Sequence, residues 1–188
     1  MLSSIRLPFL RTKSGGAGQP SIPSLSARIP ATVTLGISTN TRLLGLAIIN
    51  QGCLVDYSIH LHKSSWSPSK ADKIITSLEP CVRRYCIKNV VLSIPHVHYQ
   101  TKEFKNLISR IKKHFETKDL TVYTDPPETV YSFCSPEQKK TKKAMMKSLV
   151  NMFPELGYCY LKELRNKKRY YIKLFEAVAV AAHREQVN

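Results

Sequence analysis

Thr32-Val33-Thr34-Leu35-Gly36-Ile37, then Leu43 to Ile49, then residues 53–62 across the turn signal Asn50-Gln51-Gly52, form the stretch whose reading decides the fold. Each piece is short, aliphatic or β-branched, and bounded by turn formers, which is the pattern of strands. The third piece alternates, so Cys53, Val55, Tyr57, Ile59 and Leu61 are expected on one face. Three strands joined by short loops make an antiparallel meander.

Downstream the period changes. Ser67-Pro68-Ser69 opens a helical stretch carrying Ile74, Ile75, Leu78, Val82 and Tyr85, with a bend expected at Pro80. Residues 89–94 form a short continuous apolar strand. A helix follows, with Phe104, Leu107, Ile108, Ile111 and Phe115 on one face and lysines on the other. Residues 120–124 read as a fifth strand. Ser135-Pro136-Glu137-Gln138 has the form of a helix start, and that helix would bury Met145, Leu149, Met152 and Phe153. The last helix, about 171–184, carries Ala177, Ala179, Ala181 and Ala182, small enough for close packing on a sheet. The order β-β-β-α-β-α-β-α-α specifies an α/β domain with a mixed five-stranded sheet, its first three strands a meander, flanked by helices on both faces.

A chain of 188 residues with 43% hydrophobic residues has room for one domain of ordinary size. We place that domain at 31–188. Residues 1–30 contain Arg6, Arg11, Lys13 and Arg28, four prolines and no acid, and the first acidic residue in the chain is Asp56. This segment is expected to be a disordered basic tail or a targeting segment, with a cytoplasmic location in the first case and a mitochondrial one in the second. No window approaches 18 uncharged apolar residues, so no membrane partner is expected. The five cysteines (53, 81, 86, 134 and 159) contain no C-x-x-C pair and read as reduced thiols.

Charge is the most informative bulk number. Lys and Arg outnumber Asp and Glu 29 to 13, a formal net charge of +16, which favours a polyanionic partner. The excess is concentrated late in the chain, at Lys139, Lys140, Lys142, Lys143, Lys147, Lys162, Arg165, Lys167, Lys168, Arg169 and Lys173, against Glu155 and Glu163. There Tyr170 and Tyr171 follow Arg165-Asn166-Lys167-Lys168-Arg169, and they either stack on nucleobases or pack in the core. The nucleic-acid-binding candidates are this set from Lys139 to Lys147, Arg165 to Tyr170, and Lys173.

Four segments resemble the RuvC-type Holliday-junction resolvases of the ribonuclease-H-like superfamily. Leu35-Gly36-Ile37-Ser38 with Gly45 resembles their first hairpin, and Val90-Val91-Leu92-Ser93 sits where their fourth strand carries a glutamate. Val122-Tyr123 through Lys140-x-x-Lys143 to Phe153-Pro154 resembles the run from their fifth strand into a basic helix. Glu176-Ala177-Val178-Ala179-Val180-Ala181 with His183 resembles their last helix. The resemblance spans about residues 31 to 184. It implies a two-metal nuclease, in which carboxylates hold two divalent ions about 4 Å apart, working as a homodimer.

The metal ligands are where this chain departs from the pattern. Position by position, the family's acids fall on Ser38, Ser93, Lys173 and Glu176, so only Glu176 keeps a carboxylate. Hard divalent ions need oxygen ligands and are repelled by an ammonium. The resemblance therefore implies a catalytically degenerate domain that binds nucleic acid and needs no cofactor. The alternatives are a divergent endonuclease or resolvase for branched DNA or RNA, requiring Mg²⁺ or Mn²⁺ and using Glu176, and a protein-interaction module on a degenerate nuclease fold. His96 and His98, like His60 and His62, alternate near strand ends and are weak metal candidates.

Overall fold

The computed structural model describes residues 4–5, 32–135, 137, 139–166 and 169–187. Of residues 1–30, only Ser4 and Ile5 fall within these, so the tail or targeting expectation otherwise lies outside the described residues, as do Lys167 and Lys168.

Six strands form one sheet in the order β1-β4-β3-β2-β5-β6. They are β1 (Ser4–Ile5), β2 (Thr34–Thr39), β3 (Leu43–Asn50), β4 (Cys53–Leu61), β5 (Asn89–Ser93) and β6 (Thr121–Asp125). β2, β3 and β4 are the expected antiparallel meander, and β5 and β6 add parallel to β2. The two-residue β1 pairs antiparallel with β4 at the far edge, outside the five expected strands. Gln51 and Gly52 make the β3–β4 turn with both φ positive (51° and 74°), the backbone whose twist matches that of a hairpin.

The helices are α1 (Pro68–Thr76), α2 (Glu79–Tyr85), α3 (Lys102–Glu116), α4 (Pro127–Val130), α5 (Lys142–Met152), α6 (Gly157–Arg165) and α7 (Ile172–Val187). Side-chain alternation sends β2 residues Leu35 and Ile37 to one face, where they join Leu44, Leu46, Ile48, Val90 and Leu92 beneath α1 and α3. The other face receives Gly36, Ala47, Ile49 and Val91 and is covered by α4 to α7. α7 lies directly on β2 and β3. A Cβ at Gly36 would collide with the Ala177 carbonyl oxygen, and one at Gly45 with the Lys173 carbonyl oxygen, so both glycines are required by close approach of the helix backbone.

Several local expectations need correction. The β4 face is not a simple alternation. The register shifts between Ile48 and Ile49, and Leu54 pairs with Ile49 while Asp56 pairs with Ile48, leaving Val55 as the extra residue of a bulge. Leu54 therefore joins Tyr57 and Ile59 on the α7 face, Val55 packs on the opposite face, and Cys53 is exposed. The stretch expected to bend at Pro80 is two helices. α1 ends at Thr76 with Ser77 as its C-cap, and Pro80 lies in the first turn of α2 rather than mid-helix. α5 begins at Lys142 rather than at Ser135: Thr141 accepts a capping bond from the Ala144 amide at 3.1 Å. The turn at 131–133 leads instead to the buried Cys134. α6, which was not anticipated, contributes the buried Cys159 and Glu163.

Candidate functional site

The site forms where the carboxyl ends of the two central parallel strands meet the first turns of α7, the usual location of binding sites in open parallel sheets. Ser38 at the end of β2 and Ser93 at the end of β5 are register partners. Both are buried, Ser38 completely. Lys173 and Glu176 stand three residues apart on α7, so one face of the helix presents both to the sheet. The close packing at Gly36 and Gly45 fixes the height at which that face sits.

Glu176 is the centre of the arrangement. Its Oε2 accepts a hydrogen bond from Ser38 Oγ at 2.8 Å and one from Lys173 Nζ at 2.7 Å. Lys173 Nζ also lies 3.4 Å from Ser38 Oγ. The Lys142 ammonium, from the first turn of α5, reaches Oε1 at 3.4 Å. Burial by itself would raise the Glu176 carboxyl. The ammoniums of Lys173 and Lys142, with the hydrogen bonds from Lys173 and Ser38, outweigh it and hold the group below the ordinary glutamate range. Glu176 is thus an ionised carboxylate with both oxygens engaged.

A two-metal centre does not fit these residues. It needs several free carboxylates, and here one carboxylate is shared between two lysines and a serine. Among the described residues no group of three or more His, Cys, Asp and Glu is placed to hold a metal ion. Asp125 ends β6 as the register partner of Ser93, which the linear sequence hid because the two are far apart along the chain. Burial raises the Asp125 carboxyl, an effect partly offset by His183 and Arg184 beside it, and its Oδ2 has no hydrogen-bond partner. Attention to the carboxyl ends of all the parallel strands would have found it.

Beside Glu176 opens a cavity of about 410 Å³, lined by Ser93, His96, Tyr99, Tyr131, Lys142, Lys173 and others. The Tyr131 hydroxyl is pushed up, by burial first and then by Glu176 and Cys134, against a smaller opposing effect of Arg169. Tyr99 and Tyr131 were not anticipated as cavity residues. They lie on a 3₁₀ turn and on the turn after α4, where no periodic signal marks them.

The remaining candidates distribute as follows. Lys139, Lys140, Lys143, Lys147, Arg165 and Arg169 are exposed. Tyr171 is buried and Tyr170 half-buried, their rings edge-to-face with centroids 5.0 Å apart, and both pack with the α7-side core. Glu163 Oε2 accepts from the Tyr170 and Tyr171 amides at 2.9 and 2.7 Å, clamping this segment onto α6. Tyr171 is thus a core residue, and Tyr170 packs partly against the core.

His96 and His98 lie just past β5, which ends at Ser93. His98 lies exposed on the 3₁₀ turn Val97–Tyr99, and His96 just before that turn lines the cavity, 3.7 Å from Glu128. His60 bonds Ser58 at 2.9 Å, and His62 is buried.

No family model matches the chain, and no curated protein sequence matches it. Solved structures do. RuvC from Thermus thermophilus in complex with a Holliday-junction substrate matches with a TM-score of 0.59 and 14% identity, over 81% of this chain and 91% of that one. A second Thermus thermophilus RuvC structure matches with the same TM-score and 13% identity, over 81% and 92%. The Fowlpox virus resolvase in complex with Holliday-junction DNA matches with a TM-score of 0.52 and 13% identity, over 83% and 98%. Among the described residues no helix is long and apolar enough to cross a membrane. At these identities the likeness establishes architecture, and the chain has the ribonuclease-H-like fold that these resolvases share.

Proposed function

We propose that this chain binds structured or branched nucleic acid on a ribonuclease-H-like domain whose two-metal catalysis has been replaced by an ion-paired site. The observation that carries the reading is the enclosure of Glu176 by Lys173, Lys142 and Ser38. In a metal nuclease the carboxylates attract cations that in turn engage the phosphate. Here two ammoniums stand against one carboxylate, so the site keeps a positive excess that can meet a phosphate directly, without an ion between. Exposed Lys139, Lys140, Lys143 and Lys147 lie on or just before the helix that delivers Lys142, so further positive charge is carried by the same element.

The test is the affinity for a four-way junction and a duplex, by fluorescence anisotropy, with salt varied and with Mg²⁺ exchanged for EDTA. Binding should fall about a hundredfold between roughly 50 and 200 mM salt if roughly four phosphates are contacted, and should be unchanged by EDTA. A salt-independent signal, or none, would remove the reading.

A second reading, a divergent metal-dependent endonuclease, is favoured by one observation: His96 lines the same cavity as Glu176. Cleavage of the junction in Mn²⁺, abolished by Glu176→Gln, would establish it.

A further inference from the structure

The cavity beside Glu176 is larger than a phosphate requires, and its lining divides by chemistry. On one side of it Lys173 and Lys142 stand against the single carboxylate of Glu176. Lys142 makes the looser contact, at 3.4 Å with its side chain 40% exposed, so its ammonium can turn to an incoming anion without breaking a tight pair. The ring-bearing residues of the lining are His96 and Tyr99, both exposed, and the half-buried Tyr131. Tyr99 is 75% exposed, a large ring left in water at the edge of a cavity. It is held there rather than loosely attached. The Tyr99 amide bonds the His96 carbonyl at 2.9 Å, and the Gln100 side chain bonds the Pro95 carbonyl at 2.7 Å, which pins both ends of the turn. Two ammoniums and ring-bearing side chains lining one volume of about 410 Å³ are complementary to a phosphate with a flat heterocycle attached.

Resting on the proposed function, we infer that this cavity receives one unpaired nucleotide of the bound strand, its phosphate on Lys142 and Lys173 and its base against Tyr99 and Tyr131. A base inside a duplex is stacked on both sides and cannot enter such a pocket, so the nucleotide must be extruded or already single-stranded. Stacking on tyrosine is tolerant of base identity, so the pocket selects for an unpaired base and not for a particular one. The exposed lysines around it hold the flanking backbone.

The experiment compares three labelled oligonucleotides at one salt concentration: a matched duplex, the same duplex with a one-nucleotide bulge, and that bulge made abasic. The intact chain should bind the bulge about tenfold more tightly than the duplex or the abasic bulge, the size of effect that one stacked base produces. In Tyr99→Ala the ratio of bulge to duplex affinity should fall to about one. Because Tyr99 is exposed, the substitution leaves the fold intact, which circular dichroism checks. Equal affinity of the intact chain for bulge and abasic bulge would overturn the pocket while leaving nucleic-acid binding standing. An unchanged ratio in Tyr99→Ala would also overturn it. Absence of binding to all three would overturn both.

Discussion

The two faces of the sheet are built from the same strands and do different work. On the α1–α3 side, β2 contributes Leu35 and Ile37 to a cluster that includes Leu107, Ile111 and Phe115, all essentially without solvent contact. On the α7 side the intervening residues of the same strand are Thr34, Gly36 and Ser38. Thr34 bonds Glu185 at 2.7 Å, Ser38 bonds Glu176 at 2.8 Å, and Gly36 between them lets the helix touch the sheet. One face is stabilised by apolar area, at roughly 25 cal/mol per Å² removed from water. The other places a row of polar side chains under a helix at fixed height, where each must be paired to avoid an uncompensated burial penalty. Stability can therefore be lost from the first face with the site intact, whereas a change at the site on the second face also unpairs buried polar groups and costs stability.

The largest expected effect tests the apolar face. Phe115→Ala should lower the unfolding free energy by about 3–5 kcal/mol in urea titration, while the protein that remains folded keeps its affinity for nucleic acid. Loss of affinity in the folded fraction would show that the faces are not separable. Next is the ion pair. Glu176→Ala leaves the largely buried Lys173 ammonium without its carboxylate and should cost about 3 kcal/mol, the lower end for breaking a buried pair. Lys173→Met should cost less, because Lys142 still faces Glu176, and the double variant should be more stable than the sum of the single losses predicts. Additive losses would mean that the two side chains act independently.

A smaller effect concerns the helix height. Gly36→Ala should destabilise by about 1–3 kcal/mol, since the new methyl meets backbone that cannot swing aside. It should also weaken junction binding by shifting Lys173. The smallest effect is in the pH dependence, where two carboxyls act with opposite sign. Glu176, held below the ordinary range mainly by Lys173 and Lys142 against burial, contributes stability that is complete above about pH 4.3 and is lost as pH falls through its lower folded value. Asp125, raised by burial, favours folding as it becomes protonated, so its unfavourable contribution grows as pH rises through its folded value. Asp125→Asn should accordingly raise stability slightly at neutral pH and flatten the profile between the unfolded and folded values of that carboxyl. A drop at neutral pH would mean that the carboxylate has a partner it needs.

Much of this was legible in the sequence, for a physical reason. Strand and helix periods differ, so the switch near Ser67 and the apolar faces of α3 and α7 could be read directly, whereas Ser38, Ser93, Lys173 and Glu176 were singled out by the resemblance to the resolvases. What could not be read depends on tertiary contact. The bulge at Val55 is a register choice made between strands. Thr141 caps α5 in place of Ser135, and the turn that places Met145, Met146 and Leu149 in the core is set by packing and not by the local capping pattern. Tyr170 and Tyr171 adjoin a basic run, yet Glu163 draws their backbone inward. Lys142 looked like one lysine of many, and only packing of α5 against α7 brings it to Glu176. Asp125 became a neighbour of Ser93 only through the parallel pairing of β5 and β6.

The central claim is that Glu176 is committed to lysine and serine and not to a metal. It is tested most directly by titrating the intact chain with Mn²⁺ and following free Mn²⁺ by electron paramagnetic resonance, alongside Glu176→Gln. The account predicts that the intact chain and the variant bind Mn²⁺ equally weakly, with no stoichiometric site. A stoichiometric site present in the intact chain and lost in Glu176→Gln would contradict it.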